Sequence, residues 1–244
     1  MSERTFSHFG LIVTGDGEVA FLADFLRAVA ADGGCHFKVI RKVGQRSPRG
    51  ERAVQRMVGS GKLIPDRDQE EIGLPARDFL RTPGSYVVLV DDLESARAPQ
   101  AAEVFSRYRH AFDTILVQPE LKARSSVHFM VMMIEAYYFA HSAAINKVFG
   151  TNLQDEVEDV ETMPHPKNKL KGIARHFDEI EHGKAIVQQL DLAHVLARPE
   201  TCASLRTLVA WCQKAKGVPF GDEFCLANGR LSEVTKAQLD ALPG

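Results

Sequence analysis

A short apolar run, residues 9–13, passes directly into Thr14-Gly15-Asp16-Gly17-Glu18. An amphipathic pattern follows, with Leu22, Phe25, Leu26 and Val29 at helical spacing up to Gly33-Gly34. A buried strand that turns through glycines into a helix constrains this chain more than any other feature, because it opens an α/β layer arrangement. A second apolar run, Tyr86-Val87-Val88-Leu89-Val90, leads into Asp91-Asp92-Leu93-Glu94. Ligands of open α/β sheets bind outside the carboxyl ends of the strands. Acids at two such ends predict a carboxylate cluster suited to a hard cation and a phosphate.

The same alternation continues. Residues 37–43 read as a strand, 66–80 as a helix that Gly73 and Pro75 divide, 101–112 as a helix, 127–132 as a strand and 135–148 as a helix. The expected fold class is α/β, a mainly parallel sheet with right-handed crossovers and flanking helices. After Gly150 the pattern turns helical, over 167–177, 183–196 and 201–214, with a hairpin at Asn228-Gly229 and a last helix over 234–242. The division expected is an α/β domain over 7–150 and a helical C-terminal region, 151–244, packed on it. A chain of 244 residues with 45% hydrophobic content can bury such a core.

Glu18, Asp91, Asp92 and Glu94 are the candidate metal ligands, with Mg²⁺ or Mn²⁺ as the expected ion. Because strand side chains alternate, Asp92 with Glu94, or Asp91 alone with Glu18, are the expected facing sets. Glu135 opens an otherwise apolar helix, where a carboxylate is costly unless capping, paired or bound to a cation. Between Lys38 and Lys62 basic residues crowd against Glu51 alone, and Arg46, Arg49 and Lys62 are candidates to track a phosphate backbone. Lys167 joins them, since cations at a helix start call for a compensating anion.

Several classes are excluded. Net charge is −2, which gives no bulk sign of nucleic-acid or membrane binding. Gly59-Ser60-Gly61-Lys62 is not a P-loop, since Arg56 stands where the first glycine belongs and Leu63 replaces the Ser/Thr metal ligand. The histidines lack zinc-ligand spacing. The apolar stretch 129–145 is interrupted by Glu135 and His141, so no membrane span is expected. Four cysteines without a paired pattern and an N-terminus unlike a signal peptide lead us to expect a cytoplasmic protein.

In combination, Val13-Thr14-Gly15-Asp16-Gly17-Glu18 and Val88-Leu89-Val90-Asp91-Asp92-Leu93-Glu94 resemble a Toprim domain, the metal-binding module of topoisomerases, primases and overcoming-lysogenization-defect class nucleases. Ile134-Glu135-Ala136-Tyr137-Tyr138-Phe139, Met163-Pro164-His165-Pro166-Lys167-Asn168-Lys169-Leu170 and Cys202-Ala203-Ser204-Leu205 leading to Trp211 resemble a Toprim-like bacterial family, domain of unknown function 4276. The similarity spans residues 9–214. It implies metal-dependent hydrolysis of DNA or RNA, for some members as effectors of anti-phage systems beside an ATPase partner. It adds Asp16 and Glu135 to Glu18 and Asp91 as catalytic candidates. The chain departs from the pattern at Thr14, where a Toprim domain carries its acid–base glutamate. If no neighbouring carboxylate substitutes, the chain is instead a catalytically inactive subunit that binds an ATPase or a nucleic acid. Oligomeric state, a homodimer included, is left open.

Overall fold

The computed structural model describes residues 6–30, 34–48, 56–57, 63–94 and 96–218. The expected hairpin at Asn228-Gly229 and the helix over 234–242 lie outside these residues. So do the phosphate candidates Arg49 and Lys62.

Two uninterrupted apolar runs form the centre of the sheet. β1 (Ser7–Val13) and β5 (Ser85–Leu93) are buried almost throughout, as strands covered on both faces must be. β2 (Cys35–Lys42), half-exposed with His36, Lys38, Arg41 and Lys42 in solvent, is an edge strand, and charge on it suits that position. β3 (Arg56–Met57) and β4 (Leu63–Ile64) pair antiparallel as a separate ribbon. β6 (Ser125–Val131) completes a four-stranded sheet in the order β2-β1-β5-β6. Every pairing in it is parallel. The chain leaves β1 toward β2 and leaves β5 toward β6, so the topological switch point lies between β1 and β5.

Alternation along the strands divides the core between the faces. On one, Phe9, Leu11, Val13, Val88 and Val90 pack against α1 (Asp16–Phe25) and the C-terminal helices. On the other, Ile12, Val87, Leu89 and Leu93 pack against α2 (Leu74–Leu80) and α3 (Ala101–Ile115). The expected break in the 66–80 helix does not occur. A π turn over Gln69–Gly73 runs directly into α2 and absorbs Pro75 in its first turn. Gly73 also brings this turn against α3, since a Cβ there would stand 2.6 Å from the Ala111 carbonyl oxygen.

α4 (Pro119–Ala123) leads into β6. The expected helix over 135–148 is two pieces, α5 (Ile134–Tyr138) and α6 (Ser142–Phe149), joined by a 3-10 turn at Phe139–His141. The break has a local cause: the Ser142 amide donates to Asp155 Oδ1 at 2.7 Å and its hydroxyl to the Gln154 carbonyl at 2.9 Å, so outside groups replace helical partners. α7 (Pro166–Ile173), α8 (Glu181–Val187), α9 (Leu192–Val195) and α10 (Ala203–Ala215) form the helical region. Asp191 caps α9 and so divides the expected 183–196 helix.

This region shares its core with the sheet. Trp211 of α10 meets Phe9, Tyr86 and His128 edge-on at 6.3, 6.0 and 6.0 Å. The fold is α/β, a parallel sheet flanked by helices with a helical C-terminal part, as the sequence led us to expect.

Candidate active site

The strand that ends the second apolar run is longer than its hydrophobic part. β5 continues through Asp91 and Asp92, so alternation sends their side chains to opposite faces. Asp92 lies on the α1 face and Asp91 on the α3 face. Neither expected facing set forms: Glu94 is exposed, and Asp92 faces Glu18 and Glu135 instead.

Glu18 sits in the first turn of α1 with 1% of its surface exposed. The helix has no side-chain cap from Gly15. The Glu18 carboxyl turns back on its own amide and that of Gly15, in the manner of a capping box. Gly15 leaves room for this arrangement, since a Cβ there would stand 2.0 Å from Glu18 Oε2 and push the carboxyl aside. Glu135, in the first turn of α5, is 4% exposed. Its delivery is strained: Met132 and Met133 both have positive φ, at 60° and 72°. With ψ at 165°, Met133 occupies a region otherwise used by glycine.

Three carboxylates thus lie near enough to feel one another's charge at the C-terminal ends of β1, β5 and β6, which are neighbours in the sheet. Glu18 Oε2, Asp92 Oδ1 and Glu135 Oε2 are buried with no hydrogen-bond partner. The Tyr138 hydroxyl beside them is in the same condition. Burial pushes Asp92 well above the usual carboxylate range, and the charges of Glu18, Glu135 and Asp91 add to the rise. Burial likewise raises Glu18 against the amides that hold it, and raises Glu135 against Lys167. Lys167 Nζ stands 4.0 Å from Glu135 Oε1 and 2.8 Å from Glu179 Oε2. Burial alone would lower its ammonium, but Glu179, Glu135 and Asp92 together hold it above its ordinary value.

The other candidates are placed differently. Both Asp91 oxygens are occupied. Thr14 Oγ1 donates to Oδ1 at 2.8 Å, and Arg97 and the Tyr108 hydroxyl reach Oδ2 at 2.6 and 2.9 Å. Fully buried on the α3 face, Asp91 is the anchor of an ion pair, and the expected ligand and catalytic roles do not fit that setting. Asp16 is 79% exposed at its side chain and pairs with Lys42. The Arg46 guanidinium is buried between Asp68, at 2.8 Å, and Glu71, so it fastens its loop and presents no charge for phosphate. Thr14 links the two aspartates, accepting from the Asp92 amide at 3.2 Å while it donates to Asp91.

Tyr138, Glu179, Arg97 and Tyr108 escaped the sequence reading. Tyr138 alone carried a signal, its i+3 spacing from Glu135 on a helix. Arg97, Tyr108 and Glu179 reach the neighbourhood only through tertiary contacts.

Among the described residues, no three His, Cys, Asp or Glu side chains stand close enough to hold a metal ion as they are. The donor set nevertheless suits a hard cation chemically, since Mg²⁺ needs only one or two carboxylates beside water and phosphate. Unpartnered buried oxygens on Glu18 and Asp92 are of that kind.

Fold and cluster together define an α/β protein with a buried carboxylate site at the sheet's switch point. Set against protein-family models, curated proteins and solved structures, the chain matches none.

Proposed function

We propose that this protein is a divalent-metal-dependent nuclease hydrolysing phosphodiesters of DNA or RNA. The supporting observation is the convergence of Glu18, Asp92 and Glu135 at the ends of adjacent parallel strands, each with an unpartnered buried oxygen. Carboxylates held apart from water at such a cost serve a cation or a proton.

Glu18 and Asp92 would hold Mg²⁺ or Mn²⁺. The bound ion would neutralise charge on the phosphate and favour ionisation of an attacking water. Glu135, its carboxyl raised by burial, would accept a proton from that water as its oxygen bonds to phosphorus and the P–O bond to the leaving alkoxide breaks, the alkoxide taking its proton from solvent. Lys167, a quarter exposed and already facing the carboxylates, meets a non-bridging phosphate oxygen. The resemblance to Toprim-like families supports the nucleic-acid substrate and extends the proposal to a cytoplasmic anti-phage effector working with an ATPase. None of the described helices is long and apolar enough to cross a membrane.

A non-catalytic subunit is the second reading, favoured by Thr14, whose hydroxyl is committed to Asp91 and which offers no carboxylate at that turn. Calorimetric titration of Mg²⁺ and Mn²⁺, followed by cleavage assays on labelled DNA and RNA, separates the two. Saturable binding and cleavage, both lost in Asp92→Ala with the fold intact, are expected. Full activity in Asp92→Ala would sink the nuclease assignment. Cleavage gained only in Thr14→Glu would mark a degenerate enzyme.

A further inference from the structure

Tyr138 lies beside the carboxylates, yet its hydroxyl is bonded to none of them. The residue is 0% exposed, and its oxygen is buried without a hydrogen-bond partner. An unmet buried hydroxyl is costly and rare in a native interior. Its surroundings are chosen for it: α8 passes with Gly183 at this point, where an added Cβ would stand 3.3 Å from the hydroxyl and 3.2 Å from the Phe21 ring. Any larger residue at 183 would crowd the oxygen. Neighbouring charges add to the rise that burial imposes on the Tyr138 hydroxyl, foremost that of Glu135. It lies one helical turn away on α5, at i to i+3, the spacing at which side chains of one helix meet. Glu135 Oε2 is itself without a partner.

A donor and an acceptor are therefore both unsatisfied one helical turn apart on the same helix. We propose that Tyr138 is a positioning residue of this site: with a divalent cation bound by Glu18 and Asp92, its hydroxyl donates to Glu135 Oε2 and holds the carboxylate in the rotamer that faces the cation, where its charge adds to the ion's affinity. The inference rests on the metal-site reading above. The link completes a chain from α8 through Tyr138 and Glu135 to Asp92, so the helical region sets the geometry at the strand ends.

The test compares full-length wild type with Tyr138→Phe, using Mn²⁺ as probe. Calorimetry gives affinity, thermal unfolding without metal gives stability, and the near-ultraviolet tyrosine difference spectrum on Mn²⁺ addition reports the hydroxyl itself. Expected are an unchanged or raised metal-free Tm, Mn²⁺ affinity weakened about tenfold, the order for a hydrogen bond to a charged group, and loss of the tyrosine difference signal. Gly183→Ala, which crowds the same oxygen, should weaken Mn²⁺ in the same direction. Equal affinity in wild type and Tyr138→Phe overturns the inference while leaving the metal site standing. A Tm that falls together with affinity also overturns it, showing a packing role. Absence of Mn²⁺ binding in the wild type defeats both readings at once.

Discussion

Asp91 and Asp92 are chemically identical neighbours with opposite fates. Asp91 is met by Thr14, Arg97 and Tyr108, and removing one partner of such a buried pair costs about 3–5 kcal/mol. Asp92 has an unpartnered oxygen and other acids for company. A carboxyl whose folded pKa is raised contributes stability below its unfolded value and loses it as pH rises through the folded one. Asp92→Asn should therefore leave the protein little changed near pH 4 and more stable than wild type at pH 8. Saturating Mn²⁺ should narrow the gap by stabilising only the wild type. Thermal unfolding at the two pH values, with and without metal, checks this. Lower stability of Asp92→Asn at pH 8 would remove the physical basis for calling Asp92 a site residue.

Among the elements, the turn from β6 to α5 bears the strain. Left-handed backbone at Met132 and Met133 costs about 1–3 kcal/mol per residue where the surroundings enforce it. It is held by the Met132 amide donating to the Leu93 carbonyl at 3.0 Å, which ties the turn to the end of β5. Glycine at 133 relieves the strain but adds freedom to the unfolded chain, so Met133→Gly should gain about 1 kcal/mol net. Because the stiff turn aims Glu135, the same variant should bind Mn²⁺ more weakly. Chemical denaturation and calorimetry on one preparation measure both; a gain in stability with undiminished affinity would show that the strain serves packing alone.

For the whole molecule, opposed sets of acids shape the pH dependence. Glu18, Asp92 and Glu135 are raised mainly by burial, and burial pushes Glu161 up to about 7 despite its hydrogen bonds to Tyr137 and Ser204. Their stabilising contribution is present below their ordinary values, 3.8 for Asp92 and 4.5 for the glutamates, and is lost as pH rises through the raised ones, for Glu161 toward 7. Burial opposes ionisation of Asp68 too, but Arg107 and Arg46 outweigh it and hold the carboxyl low, so its contribution is lost on acidification below its ordinary 3.8. Maximum metal-free stability is expected near pH 5, and Glu161→Gln should flatten the decline toward pH 7; a maximum at pH 7 or above, read from unfolding midpoints across pH, would contradict these assignments. The chain by itself determined the α/β class, the buried strands and the acids at their ends, because apolar runs, glycine turns and helical spacing are local patterns. It placed Glu18 and Glu135 at helix starts for the same reason. Tertiary structure decided which carboxylates meet, sending Asp92 to one face and Asp91 to the other, spending Arg46 on Asp68, and bringing Tyr138 and Lys167 to the cluster. Strand length and sheet order, which neither composition nor spacing encodes, set the face of each side chain, and only folding brings charges distant in sequence within reach.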